Sequence, residues 1–459
     1  MKTRKIKNIS LVLGLWILCT SCEKLVEVDL PINQLNTEQV FESTATADGA
    51  LSALYSEMQA SSVLSGGASG VGCLLGSYAD DLDGYDIYSV NASMDIYNNI
   101  QLSTNTTVKM IWANAYREIY MANSIIAGIV NSSSIEEKDK QRIKAEAVFL
   151  RSIIYFYLTQ LYGDIPFSTS TDYNINQALS KSPSEIVLDT IAKDLEDVVP
   201  MLENDYRNTE RIYVNRKTAE ILLATIYVHQ KKWTNAENLL TQIIQSPLYN
   251  LQQDISKIFK KDGKHIVWQL KPIYEGTATP EALLYGFSSG VPRYYAASDN
   301  LISIFSDNDE RKEKWLTPVV SNQKNYYKID KYQTLTANTD EYSIVFRIQE
   351  AYLLLAEVLA EENKIEESLF YINQIRQIAG LSLLSGSISQ NQLKNEISIE
   401  YQREFFSERG IRFLNLKRNN KLDSLLNTKP NWKSYNEVWP LPASELLLNP
   451  NLNPQNTGY

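Results

Sequence analysis

Two stretches of the chain concentrate residue types that can hold a ligand. GSYADDLDGYDIYSVN, Gly76 to Asn91, sets Tyr78, Asp80, Asp81, Asp83, Tyr85 and Tyr88 close together, and the stretch from Tyr274 to Tyr295 adds Tyr274, Tyr285, Phe287, Arg293, Tyr294 and Tyr295. A phenol ring offers an apolar face with a polar tip, while carboxylates and guanidinium groups make paired hydrogen bonds, so both stretches read as sites of non-covalent binding. The candidate ligand residues are Asp80, Asp81, Tyr85, Tyr88, Tyr274, Tyr285, Arg293, Tyr294 and Tyr295. Some tyrosines in these stretches are expected only to pack loops onto a scaffold.

Covalent and metal chemistry have little to work with. Only His229 and His265, with Cys19, Cys22 and Cys73, are available as borderline or soft ligands, too few for a zinc cluster and nearly excluding a Cys-His nucleophile. Asp81, Asp83 and Asp86 invite a calcium reading, but Gly84 falls too early for an EF-hand loop and no glutamate holds the twelfth position. An irregular calcium site stays open; no metal or other cofactor is predicted. The net charge of -10 argues against a nucleic-acid surface. The 28 tyrosines against 12 phenylalanines favour binding over catalysis. With 459 residues, 44% of them hydrophobic, the chain can bury a large core.

The compartment is read from the first thirty residues. Lys2, Arg4, Lys5 and Lys7 precede an apolar run, Ile9 to Leu18, that is too short to span a bilayer and has the form of a secretory signal. Thr20, Ser21 and Cys22 then resemble a bacterial lipoprotein cleavage site, making Cys22 the expected lipid attachment and residues 1–21 the signal peptide. Removing them takes away four positive and no negative charges, leaving 40 against 54 and about -14 on the mature protein. Cys73 is then unpaired, and packing alone must stabilise the fold.

The elements that must position the two clusters read mostly as helix. Apolar residues recur at three and four residue spacing from Trp112 to Ile126 and from Ala145 to Tyr157, and Gly163 with Pro166 stops the second helix. Further helices are expected over Ser184 to Met201, Lys217 to Gln230, Asn235 to Gln245, Arg347 to Glu362, Ile365 to Ala379 and Gln392 to Arg409. Segments 73–106 and 262–345 lack a sustained period and read as long loops with short strands such as His265 to Leu270. The proline-rich ending, with Pro440, Pro442, Pro450 and Pro454, is expected to lie extended as a strap. An internal repeat stands at an offset of 132 residues: Leu222 to Ile243 aligns without gaps on Leu354 to Ile375, pairing Ala224 with Ala356, Trp233 with Ile365 and Ala236 with Ser368. This is tetratricopeptide-like spacing, with small residues where helices approach and a polar turn before Trp233 or Ile365.

AEAVFLRSIIYFYLTQLYGDIPF (Ala145 to Phe167), EISIEYQREFFSERGIRFLNLKR (Glu396 to Arg418) and VWPLPASELLLNPNLNPQNTGY (Val438 to Tyr459) closely resemble SusD/RagB proteins, surface lipoproteins of Bacteroidetes nutrient-uptake systems. The resemblance implies a mainly α fold in which about four tetratricopeptide-like helix pairs carry long loop insertions that build a ligand face. It implies one compact unit, with 22–230 as its N-terminal part and 231–459 as its C-terminal part. It further implies an outer-membrane lipoprotein, exposed at the cell surface, that passes oligosaccharides, or peptides in the RagB type, to a SusC-like TonB-dependent transporter. A sugar, with its C–H face and rim of hydroxyls, suits rings flanked by carboxylates and arginine. The competing reading is an all-helical glycoside hydrolase, which needs two carboxylates about 5 to 9 Å apart. Glu404, Arg409, Arg412 and 415–418 are expected to form an ion-paired surface or seam.

Overall fold

The computed structural model describes residues 37–85 and 92–459; Cys22 and the expected signal peptide lie outside these, as does Tyr88. Among the described residues, the helices of at least eight residues are α1 (Thr44–Ala60), α2 (Val71–Tyr78), α3 (Thr106–Asn131), α4 (Glu137–Tyr162), α5 (Ser184–Val198), α6 (Arg216–His229), α7 (Trp233–Ile244), α8 (Ile348–Glu361), α9 (Ile365–Ile378), α10 (Gln390–Phe405) and α11 (Ile411–Arg418). Four hairpins, α3/α4, α6/α7, α8/α9 and α10/α11, form the mainly α scaffold expected, with α5 packed between α4 and α6. Local chemistry sets their ends. Asn105 accepts hydrogen bonds from the backbone N–H groups of Thr107 and Val108, Ser389 and Gln392 cap α10 reciprocally, and Gly163, at φ +71°, ends α4.

The repeat is real in three dimensions. Lys231 and Asn363, 132 residues apart, both adopt left-handed backbone, at φ 56° and 60°. The following amides close the same bond: Lys232 N–H donates to the Tyr227 carbonyl and Lys364 N–H to that of Leu359, each at 2.8 Å. Ala224 and Ala356, and Ala236 and Ser368, are fully buried at the helix crossings. Ser368 fits there because its hydroxyl donates to the Ala356 carbonyl at 2.7 Å. Trp233 opens α7 directly after that turn, as Ile365 opens α9.

The segments expected as loops hold more structure. Within 73–106, α2 is buried nearly all round, so it shows no amphipathic period, and Gly410 lets its Leu75 side chain approach closely. Between α7 and α8 lie strands of two to six residues: β2 (Ile266–Leu270) pairs with β8 (Ser343–Arg347), and β3 (Gly276–Thr277) with β7 (Thr336–Asn338). β1 (Leu82–Gly84), β4 (Tyr295–Ala297), β6 (Lys324–Ile329) and β5 (Leu316–Ser321) form one antiparallel sheet in that order. Asn322 and Gln323, both at positive φ, make the two-residue turn between β5 and β6.

The C-terminal strap is only partly extended. A helix, Ala443–Leu448, begins directly after Pro442, where a missing N–H costs nothing. The strap still binds the scaffold: Ala443 N–H donates to the Ser103 carbonyl, and the Asn456 side chain to that of Tyr162, both at 2.8 Å. The charged block at 404–418 forms a seam, as expected, but a buried one. Arg311 and Arg347 both pair with Glu404, Arg347 and Lys331 with Glu408, Arg409 with Glu350 and Arg418 with Glu357. Three of these residues, Arg311, Lys331 and Arg347, fix the insertion before α8 onto α10 and the turn after it, while Arg409 and Arg418 tie that turn and α11 to α8.

Candidate ligand face

The two tyrosine clusters meet through backbone pairing. β1 pairs with β4 in the register Leu82↔Ala297, Asp83↔Ala296 and Gly84↔Tyr295, and Tyr85 N–H donates to the Tyr294 carbonyl at 2.7 Å. Opposed residues share a face, so Asp83, Tyr85 and Tyr294 lie on one face together with the buried Ala296, while Leu82 and Tyr295 look into the core. The link Ala297↔Tyr327 continues this alternation onto β6, placing Lys324, Tyr326 and Lys328 on the same face as Tyr85, with Lys324 exposed and Tyr326 buried.

That face carries aromatic rings bordered by charge. The Tyr85 and Tyr326 rings meet edge to face, with centroids 5.6 Å apart. The Arg293 guanidinium lies 4.9 Å from the Tyr294 ring centroid and the Lys324 ammonium 5.1 Å from that of Tyr326. The Tyr97 hydroxyl donates to Asp83 at 3.2 Å, and Lys429 sits 3.9 Å from the Tyr97 ring centroid. Partial burial pushes the Asp83 carboxyl and the Tyr85 phenol above their usual values. Tyr85 and Tyr294 are half-buried.

Other candidates lie elsewhere. Asp80 is buried beneath the sheet, where both its oxygens take the Arg412 guanidinium, at 2.7 and 3.0 Å, and one accepts from the Asn300 amide at 3.0 Å. Asp81 is also buried and accepts from the Gln402 amide at 2.9 Å; burial, then the Asp80 charge, push its carboxyl up to about 7. Tyr285 and Tyr295 are core residues, with burial raising both phenols. The structure places these four candidates inside the packing and not on the exposed part of the face. Tyr274 is 73% exposed, but it precedes β3 in a separate two-stranded sheet. Cys73 is buried and unpaired, its thiol pushed up to about 12 by burial. Among the described residues, no group of three or more His, Cys, Asp or Glu side chains could hold a metal ion.

Sequence reasoning missed Tyr326 and Lys324. Their signal was a short hairpin, VVSNQKNYYKI, in which Asn-Gln separates two β-prone runs.

Residues 219–459 match the SusD family, and residues 50–228 match a SusD-like family described as starch-binding and associating with the outer membrane. The chain belongs to the SusD family. A curated SusD-like protein, P2 of Formosa agariphila, is 26% identical over 100% of both chains. Among solved structures, a SusD superfamily protein of Bacteroides vulgatus superposes with a TM-score of 0.80 at 20% identity, covering 91% of this chain and 99% of that one. Surface glycan-binding protein A of Bacteroides thetaiotaomicron, solved in complex with laminarihexaose, gives 0.76 at 18% identity, over 90% and 99% of the two chains. The SusD fold explains why distant loops meet: helix hairpins form the scaffold, and the insertions between them pair as strands. Among the described residues, no helix is long and apolar enough to cross a membrane.

Proposed function

We propose that this SusD-family chain is an outer-membrane lipoprotein, anchored through Cys22, that captures oligosaccharides and delivers them to a SusC-like TonB-dependent transporter. The observation that carries the reading is the pairing of Tyr85 with Tyr294, which sets these two half-buried rings and Arg293 on one sheet face, with the buried Tyr326 ring packed edge to face against Tyr85. Rings there stack on the C–H faces of sugars, while Arg293, Lys324 and Asp83 meet hydroxyls at the edges. The laminarihexaose complex of the glycan-binding relative supports this ligand class. Binding is non-covalent, and no residue is assigned a catalytic role.

Each stacked ring contributes about 1 kcal/mol, so the variant Tyr85→Ala/Tyr294→Ala is expected to bind glycan about tenfold to thirtyfold more weakly, with its Tm within about 2 °C of the parent. Affinity electrophoresis and calorimetry against glycan and peptide panels read this directly. Unchanged glycan binding, release of shorter products from the glycan, or tight binding of peptides alone would overturn the proposal.

A further inference from the structure

A pocket of about 590 Å³ opens where the α6/α7 turn meets the C-terminal ends of α8 and α11 and the start of α10. Its charged lining is four cations, Lys231, Lys394, Arg418 and Lys421, against two carboxylates, Glu357 and Glu361, which makes it a basic site on a chain whose net charge is -10. Both carboxylates are already paired. Arg418 binds Glu357, which also accepts from the Asn419 amide at 3.2 Å, and Lys394 binds Glu361 at 2.6 Å. Lys231 and Lys421 are the surplus. The exposed Lys231 ammonium has no partner among the described residues, and the half-buried Lys421 ammonium donates to a neutral group, the Asn395 amide oxygen, at 2.7 Å. Burial, then repulsion from Lys394, lower the Lys421 ammonium, and an anion in the pocket relieves both.

The internal repeat shows that the fold asks for neither Lys231 nor Trp233. Asn363 and Ile365 stand at the matching positions of the α8/α9 turn, with the same left-handed backbone and the same 2.8 Å closing bond. The α6/α7 turn thus carries a cation in a strained conformation, and a half-buried indole two residues on, where a neutral residue and an aliphatic one suffice. Charge alone serves any anion, and the rest of the lining narrows the class. An indole ring covers the C–H face of a pyranose, and the Asn391 and Asn420 side chains, which have no hydrogen-bond partner among the described residues, are open to hydroxyls. The volume suits a ligand of disaccharide size. The pocket stands apart from the ligand face. Gln402 and Arg412, which hold Asp81 and Asp80, lie about 12 Å along α10 from Lys394 and about 9 Å along α11 from Arg418, at 1.5 Å per residue.

We propose that this pocket is a second saccharide site, for a sugar that carries a carboxylate or a sulfate: Lys231 and Lys421 meet the anion, Trp233 stacks on the ring, and Asn391 and Asn420 bind hydroxyls. Calorimetry with digalacturonate and with galactose 6-sulfate tests it, against maltose, sodium sulfate and a triglutamate peptide. The comparison is made in the parent and in Tyr85→Ala/Tyr294→Ala, where the ligand face is weakened. In that double variant at least one acidic sugar is expected to bind at least tenfold more tightly than any of the three controls. Adding Lys231→Gly or Lys421→Gln should weaken this binding about tenfold, and adding Trp233→Ile about threefold to tenfold. Lys231→Gly is expected to melt no lower than its parent, so its loss of binding is not a loss of folding. No binding of either acidic sugar, equal or tighter binding of sulfate or of the peptide, or binding unchanged by both lysine substitutions would overturn the proposal. Acidic-sugar binding that is lost in Tyr85→Ala/Tyr294→Ala and kept in Lys231→Gly would assign that sugar to the ligand face, overturning this inference and leaving the oligosaccharide reading intact.

Discussion

Asp80 illustrates how a residue chosen for ligand chemistry becomes structural once its surroundings are known. Its carboxylate is paired at two points with Arg412, and the two side chains are only 6% and 12% exposed. Asp80→Asn therefore leaves the Arg412 charge buried without its counter-ion, which costs about 3 kcal/mol at the lower end for a broken buried pair, because the amide keeps one acceptor. Unfolding entropy of roughly 2.1 cal/mol/K per residue gives about 1 kcal/mol per kelvin for a chain this long, so Tm should fall by about 3 °C. Arg412→Gln should fall by a similar amount, and the double variant Asp80→Asn/Arg412→Gln should recover at least half of either loss, because no uncompensated charge remains. Calorimetric Tm measurements, paired with glycan affinity of the folded protein, separate the two roles. An Asp80→Asn protein with unchanged Tm and tenfold weaker glycan binding would refute the reasoning.

Burial, then the Asp80 charge, raise the folded Asp81 carboxyl to about 7, above the ordinary 3.8. The folded state therefore binds the proton more tightly than the unfolded chain, and stability falls as pH rises from about 4 through 7. Asp81→Asn should remove that loss, melting above the parent at pH 8 and close to it at pH 4; a parent that gains stability relative to the variant as pH rises would contradict this. Lys231→Gly relieves a left-handed lysine at the α6/α7 turn and should raise Tm by up to about 1 °C, with a smaller gain for Asn363→Gly, since asparagine tolerates that conformation; lower melting of both would contradict the turn geometry. Cys22→Ala should move the protein from the membrane fraction to the soluble fraction, checked by fractionation with a labelled lipid; persistent membrane association would remove the anchor from the proposal.

Much of the scaffold was legible because helix hairpins are local. The 3.6-residue period over α3 and α4, the stop at Gly163 and the 132-residue repeat all depend on neighbours within a few turns, and each appears where the residues call for it. α2 was not legible, since a helix buried nearly all round carries no period. The β1–β4–β6–β5 sheet was not legible either, because strands of three to six residues are stabilised by partners up to some two hundred positions away. The strap helix after Pro442 shows the same limit in reverse: prolines restrict the residues they occupy and leave the next turn free to coil.

By itself, the chain determined the helix-pair architecture, the family and the two tyrosine-rich regions, because composition, period and motif are properties of contiguous residues. The tertiary structure alone decided which members of those regions meet solvent. Strand register turns Tyr85 and Tyr294 outward and Tyr295 inward, while Asp80 and Asp81 sink beneath the sheet onto Arg412 and Gln402. A one-residue alternation across a strand pair separates a partly exposed ring from a core ring, and no count of tyrosines carries that information.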